Sequence, residues 1–437
     1  MRRLLFGVLA LLAGAAVSGP GAAQELPRRP FLGIAMESGE ADGPQGSAVR
    51  VERVIEGSSA AAADIRPGDI IVSVDGRVVA EPADVVAAVK PRRAQDRLSI
   101  VVSRAGTLLD KDVPLIGLPL ETAEGFDTLY EAVVADGDLR RTILTRPFNG
   151  DRMPAVLFVG GIGCYSMESP FDEDEVYRQL LSSITRLGFV TMRVEKSGMG
   201  DSRGATCSSV DLANELGGYM AGLQALRSKS YVDADRIFIV GHSIGGIVGP
   251  LLASKMPVRG IVAMETVGTT WFEYELINRR RQLKLAGTAP AALGRAMQLK
   301  QWCMHRLLIE RQPRQEILAS RPECAGEIDL PASDAYLQQI AELDLPALWA
   351  GLKLDTLLVY GSADYLTSAE EHLAILETIE AARPGAASFV EIADLDHYMT
   401  RAADQRESFD RKRMDETGDF HQGLAQTMGD WLLKHAG

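Results

Sequence analysis

Ile237-Phe238-Ile239-Val240-Gly241-His242-Ser243-Ile244-Gly245-Gly246 is an apolar run that ends at a serine set among glycines. The run reads as a strand buried on both faces, and Ile244 to Met256 beyond it has helical spacing. In this strand–turn–helix setting, G-x-S-x-G marks a turn too tight for a Cβ beside the serine. Such a turn lifts Ser243 Oγ into the open and aims the N–H dipoles of the next helix at it. Without that setting the pattern is common by chance, and a plain turn is its other reading.

The alternation continues on both sides. Apolar runs at Ala155–Val159, Phe189–Val194, Val258–Met264, Leu357–Tyr360 and Phe389–Ile392 read as strands. Tyr177–Leu187 and Val210–Leu226 have helical spacing. The pattern predicts an α/β fold, a parallel sheet with helices on both faces. From about 268 to 353 it becomes helical with no clear strand. An insertion of that size is most simply a cap over the carboxyl ends of the strands.

A serine hydroxyl is a poor nucleophile until a base takes its proton, so a histidine and an orienting carboxylate are expected. There are six histidines. His242 lies in the turn, His305 in the cap, His372 on a later helix, and His421 and His435 near the C-terminus. His397 follows a strand in Ala393-Asp394-Leu395-Asp396-His397, where the sites of such sheets collect. Asp364 follows the preceding strand and is the candidate acid. A helix N-cap or turn residue is its other reading, and Asp394, Asp396 and Glu265 are its rivals. Ile244 N–H, next to the serine, is a candidate oxyanion donor.

Together these residues resemble the α/β-hydrolase superfamily over roughly 126–437, in its bacterial serine aminopeptidase and esterase-like branch. The turn Glu195-Lys196-Ser197-Gly198-Met199-Gly200 is similar to that family's glycine-rich loop. The resemblance implies the order Ser243, Asp364, His397 for a triad. It also places Ile162, in Gly160-Gly161-Ile162-Gly163, as the second oxyanion donor. A dinucleotide phosphate loop is the competing reading of those glycines, with Glu195 as ribose acid. The third glycine is missing and Glu195 lies too far on. No cofactor and no metal are expected. The implied activity is hydrolysis of an ester or related acyl bond in a small-molecule or peptide substrate. A peptidase would need cap carboxylates such as Glu273, Glu275 or Glu323 to hold an ammonium. A catalytically inactive peptide-binding adaptor is the remaining alternative.

The chain has four cysteines, none in C-x-x-C spacing, which disfavours a cysteine zinc site. Cys164 and Cys207 each follow a glycine-rich strand-end loop, and Cys303 and Cys324 both fall in the cap. Disulfides Cys164–Cys207 and Cys303–Cys324 are expected, with four buried thiols as the alternative.

Residues 30–118 read as short strands around the helix Pro82–Val89. Leu32-Gly33-Ile34 and Ala63-Asp64-Ile65-Arg66-Pro67-Gly68-Asp69-Ile70-Ile71, followed by Val74-Asp75-Gly76, resemble a PDZ domain. That implies a carboxylate-binding loop at Leu32, Gly33 and Ile34 and a groove for an extended peptide or protein C-terminus. Asp84, Val85 and Ala88 are the candidate contacts on the helix. Alternatively, Leu32 and Ile34 simply fill the module's core.

Arg2 and Arg3 precede an apolar run, Leu4 to Val17, and a small-residue stretch ending Ala22-Ala23-Gln24. Residues 1–24 match a secretory signal, and the run is short of the ~20 residues a spanning helix needs. Export to the periplasm or beyond is expected, with no integral membrane segment once the signal is removed; an uncleaved membrane anchor is the other reading. A net charge of −13 argues against a nucleic-acid or anionic-membrane surface.

Overall fold

The computed structural model describes residues 26–39 and 48–437. The expected signal, 1–24, lies outside the described residues. Among them, no helix is long and apolar enough to cross a membrane.

The first unit contains β1 (Ile34–Gly39), β2 (Ala48–Val54), α1 (Ser59–Ala62), β3 (Ile70–Val74) and β4 (Arg77–Val78). It continues with α2 (Pro82–Val89), β5 (Arg97–Arg104) and β6 (Thr107–Pro114). Its sheet runs β1-β2-β3-β5-β6, with β4 on β3, so β1 is an edge strand. Val49, Val51, Ile71, Ile100, Val102 and Val113 close a core of its own.

The second unit opens with β7 (Phe126–Ala135) and β8 (Asp138–Pro147), an antiparallel hairpin. Asp136 and Gly137 form its turn, both at positive φ, as a two-residue hairpin turn matching strand twist requires. Then come β9 (Met153–Val159), α3 (Val176–Arg186), β10 (Val190–Val194), α4 (Leu212–Arg227) and β11 (Val232–His242). α5 (Gly245–Lys255) and β12 (Gly260–Met264) follow. The cap holds α6 (Trp271–Leu285), α7 (Pro290–Met304), α8 (Arg314–Ser320), α9 (Ala325–Ile328), α10 (Asp334–Ala341) and α11 (Leu345–Gly351). β13 (Asp355–Gly361), α12 (Ala369–Ala382), β14 (Ala387–Ile392), α13 (Gln405–Met414) and α14 (Gln422–Ala436) complete the chain.

The eight-stranded sheet runs β14-β13-β12-β11-β9-β10-β8-β7. It is mixed rather than wholly parallel, because β8 pairs antiparallel with both β10 and β7. The parallel strands are apolar throughout because alternate side chains enter two different cores. Val156 and Phe158 of β9 pack with α3 and α14. Ala155, Leu157 and Val159 pack with α4, α5 and α12, in a core continuous with the cap. α3 shows the matching helical stripe, with Tyr177, Leu180, Leu181 and Ile184 buried.

The two units meet through buried charge. Arg28 donates to Asp201 at 2.5 Å and pairs with Glu168, and both carboxylates are sealed from solvent. Phe31 packs on Phe171 with ring centroids 5.0 Å apart. Removing one partner of a buried ion pair costs about 3–5 kcal/mol, because the other charge is left uncompensated. Asp201 keeps Arg141 at 2.9 Å, which softens the loss. Arg28→Ala is expected to destabilise the chain by about 3 kcal/mol. A thermal melt at neutral pH that matches wild type would contradict this.

Candidate active site

Ser243 sits between β11 and α5 at φ 56°, a left-handed conformation that a serine adopts only under constraint. The turn closes because its neighbours carry no Cβ. A Cβ on Gly241 would lie 2.2 Å from Gly245 O, one on Gly245 2.2 Å from Val159 O, and one on Gly246 2.2 Å from Thr266 Oγ1. Ser243 N–H donates to Met264 O at 3.0 Å, and Thr266 Oγ1 donates to Ser243 O at 2.9 Å.

His397 lies in the loop after β14, 6% exposed. Its Nε2 is 3.1 Å from Ser243 Oγ and its Nδ1 is 2.9 Å from Asp364 Oδ2. A carboxylate only accepts, so Nδ1 carries the ring proton and Nε2 is left to accept from the serine. Asp364, after β13, is fully buried. Its Oδ1 accepts from Leu366 N–H at 2.6 Å and Thr367 N–H at 3.0 Å, and Oδ2 also accepts from Thr367 Oγ1. Burial alone would raise its pKa. The neighbouring imidazole and the Thr367 donors outweigh it and hold the carboxyl well below the usual range. The turn reading of Asp364 therefore holds beside its contact with the histidine, since it orders the Leu366–Thr367 turn, whereas the N-cap of α12 is Ser368.

The rival acids are placed differently. Asp396 is spent on the N–H groups of Tyr398 and Thr400 and on Ser408 Oγ, and Asp394 is exposed. Glu265, after β12, is fully buried with one oxygen 3.6 Å from His397 Nδ1. Neither of its oxygens has a hydrogen-bond partner among the described residues. Burial first, then the charges of Asp364 and Asp396, push its pKa well above the ordinary value. Glu265, Asp364 and His397 bring ligand atoms within 4.8 Å of one another. Because Asp364 is saturated by N–H and O–H donors, the cluster is organised for hydrogen bonding rather than for a metal ion.

His242 is not idle. Its Nε2 donates to His397 C=O at 2.8 Å, and Nδ1 accepts from Tyr177 Oη at 2.9 Å. Burial and then His397 lower its pKa to about 3, so it stays neutral and fixes the backbone of His397. His372 Nε2 accepts from Thr266 N–H at 3.1 Å and secures the segment after Glu265.

Ile162 and Ile244 flank Ser243, and neither N–H has an acceptor among the described residues. The Gly161–Ile162 peptide is held from behind. Gly161 C=O accepts from Lys196 Nζ at 2.8 Å and from Tyr165 Oη at 3.1 Å. In a trans peptide the N–H points opposite the C=O, so this grip turns Ile162 N–H away from Lys196. Lys196 is buried and paired with Glu215 at 3.2 Å. Neither residue could be singled out in sequence, where Lys196 is one member of a glycine-rich loop. Glu195 beside it accepts from Ser166 Oγ at 2.6 Å and Met167 N–H at 3.0 Å, a loop-holding role and not a ribose contact. Disulfides join Cys164 to Cys207 and Cys303 to Cys324. The first ties the Ile162 loop to the loop after β10.

A cavity of about 300 Å³ opens on Ser243 and His397, lined also by Ile162, Trp271, Glu275 and Lys300. Glu273 and Glu323 are exposed and do not line it.

In the first unit, Leu32 N–H and Gly33 N–H have no acceptor among the described residues. Gly33 is at φ 69° and a Cβ there would meet Ser58 Cβ at 2.2 Å. Leu32 belongs to the core, and Ile34 packs against it. One helix contact expected from sequence is corrected, since Val85 is 1% exposed and points into the core. The Asp84 carboxylate accepts from Ala80 and Glu81 N–H at the start of α2 and stays part-exposed. Ala88 is part-buried against the same core.

Residues 156–407, more than half of the chain, match the model of the Alpha/beta hydrolase family, and the chain belongs to that family. Residues 30–115 match that of the PDZ domain. Esterase EstD of Thermotoga maritima is 21% identical over 224 residues, 51% of this chain and 49% of EstD. The chain thus spans about half the length of that curated relative. Among solved structures, the Pyrococcus furiosus esterase PF2001 aligns with TM-score 0.45 and 13% identity over 73% of this chain and 97% of its own. Est1E from Butyrivibrio proteoclasticus aligns with TM-score 0.43 and 14% identity over 70% and 98%.

The state of Glu265 gives a stability test. An unfolded glutamate ionises near pH ~4.3, whereas the folded one stays protonated well above that. The folded state then holds the extra proton, so this group's contribution falls as pH rises through that window. Glu265→Gln removes the dependence. The variant is expected to gain on wild type as pH rises above ~4.3, where the unfolded glutamate ionises. Melting curves whose difference stays the same as pH rises would contradict it.

Proposed function

We propose that the chain is an exported serine hydrolase that cleaves a carboxylic ester through an acyl-enzyme. Ser243 is the nucleophile, His397 the base and Asp364 the acid that orients it. The observation that carries this reading is one continuous line of contacts. Ser243 Oγ to His397 Nε2 is 3.1 Å and His397 Nδ1 to Asp364 Oδ2 is 2.9 Å, with two unpartnered N–H groups beside the serine.

Ser243 Oγ adds to the ester carbonyl as its proton passes to His397 Nε2. The negative charge that develops on the carbonyl oxygen is taken by Ile162 and Ile244 N–H. Collapse of the tetrahedral intermediate expels the alcohol, which receives the proton from His397. Water, deprotonated by the same nitrogen, then adds to the acyl-enzyme and releases the acid. Asp364 stays ionised throughout and stabilises the imidazolium. Lys196 acts through the Gly161–Ile162 peptide as a positioning residue.

An aminopeptidase reading finds less support. Glu275 reaches the cavity but is paired with Lys300 at 2.8 Å, so its charge is already matched and is not left for a substrate ammonium. The free edge of β1 and the open N–H groups of Leu32 and Gly33 support uptake of an extended peptide or C-terminus by the first unit. The signal-like segment 1–24 and the two disulfides support an oxidising, exported location.

A fluorophosphonate should label the wild type and not Ser243→Ala. On p-nitrophenyl butyrate, Asp364→Asn should lose about 10³–10⁴ in kcat. Glu265→Gln should lose less than about tenfold, since it replaces one neutral group by another. Equal losses for the two would reject Asp364 as the orienting acid. Lys196→Met should lower kcat by about 10–100-fold with KM little changed, a loss smaller than deletion of an oxyanion donor. A change confined to KM would reject the positioning role.

A further inference from the structure

The cavity at Ser243 holds about 300 Å³, the low end of the range for small-molecule sites. Around the serine its lining is apolar, from Ile162, Val267, Leu330, Pro331 and Leu366. The cap side is different, because α6, α7 and α9 bring Glu275, Lys300 and Glu327 to the same wall, each less than one-tenth exposed.

These charges compensate one another. Lys300 Nζ donates to Glu275 Oε2 at 2.8 Å and to Glu327 C=O at 2.7 Å. Glu327 Oε1 accepts from Arg279. Two cations thus meet two carboxylates, and the remaining charged lining residue, Asp329, is exposed. The buried wall is neutral as a whole but not satisfied. An ammonium carries three donors, and the third of Lys300 has no acceptor among the described residues. Glu275 Oε1 accepts no hydrogen bond there either. Unlike Glu327 Oε2 it is not sealed off by protein atoms, so it faces the cavity.

Resting on the serine-hydrolase reading, we infer that the substrate is a short ester whose far end carries a neutral group that both donates and accepts, a hydroxyl or a carboxamide. That group donates to Glu275 Oε1 and accepts from Lys300 Nζ. A hydrocarbon tail would strip water from both atoms and return nothing. A charged tail would break a balanced set of charges. Sites built around such polar groups reject the analogue that lacks the partner far more strongly than apolar pockets reject an extra methylene.

Matched esters test this by pH-stat. Methyl hexanoate is compared with methyl ω-hydroxyhexanoate, and butyl butyrate with ω-hydroxybutyl butyrate, placing the hydroxyl on the acyl or the alcohol side. Methyl adipamate tests the carboxamide. At least one polar ester should exceed its alkyl partner by about tenfold or more in kcat/KM. In Glu275→Leu/Lys300→Met, which replaces the pair by apolar groups of similar length, the ratio should fall to about one. Alkyl esters as fast as their polar partners in every set overturn the inference, as does hydrolysis of none by a chain that fluorophosphonate still labels. A ratio unchanged in the double variant overturns it as well. Failure of labelling overturns the serine-hydrolase reading beneath it.

Discussion

The site depends on a steric constraint at one turn. Three glycines around Ser243 touch backbone or side-chain atoms at distances no Cβ tolerates, so the ends of β9, β11 and β12 are drawn together there. Gly245 lies against the β9 end that leads into the Ile162 loop, and Gly246 against Thr266, next to Glu265. Holding Ser243 in a left-handed conformation costs about 1–3 kcal/mol, which its backbone bonds to Met264 and Thr266 help to offset. The constraint thus sets the serine, the adjacent donors and the neighbouring acid in one step.

Charge is then sorted by donors rather than by distance alone. Asp364 and Glu265 are both buried beside His397, at 2.9 Å and 3.6 Å. Burial disfavours either carboxylate. Asp364 accepts from Leu366, Thr367 and the imidazole and stays ionised. Glu265 has no comparable set of donors among the described residues, and burial with the charge of Asp364 favours its protonated form. Two carboxyls pushed apart in this way have different chemical parts to play, and an ionised Glu265 would have set two like charges against one ring.

Much of this was legible in sequence because it rests on local signals. The buried strands are continuous apolar runs, and Ser243, Asp364 and His397 each follow one, so strand-end placement alone brings them to one edge. The β7–β8 hairpin was not read, although Asp136-Gly137 is a strong turn signal. Arg140 and Arg141 lie buried in β8, matched by Arg203 C=O and Asp201, and two charges in a strand hide its apolar character. Lys196, Glu215 and Lys300 were opaque for the same reason, since a charge reads as surface until its distant partner is known. One groove contact was misjudged through helix phase, because Val85 turns inward on α2.

The buried ion pairs share a further logic. Arg193 with Glu121, Arg28 and Arg141 with Asp201, Lys196 with Glu215 and Lys300 with Glu275 each join different elements of the fold. Desolvating two charges nearly cancels their attraction, so such pairs add little stability, yet losing one partner is expensive. Their effect is therefore to penalise every arrangement in which the partners are apart. Lys196 has its charge balanced by Glu215 and still has a proton to place on Gly161 C=O. Lys300, balanced by Glu275, still has one to offer the cavity. A compensated cation that retains a free donor can orient a neutral group without imposing a net charge on the site.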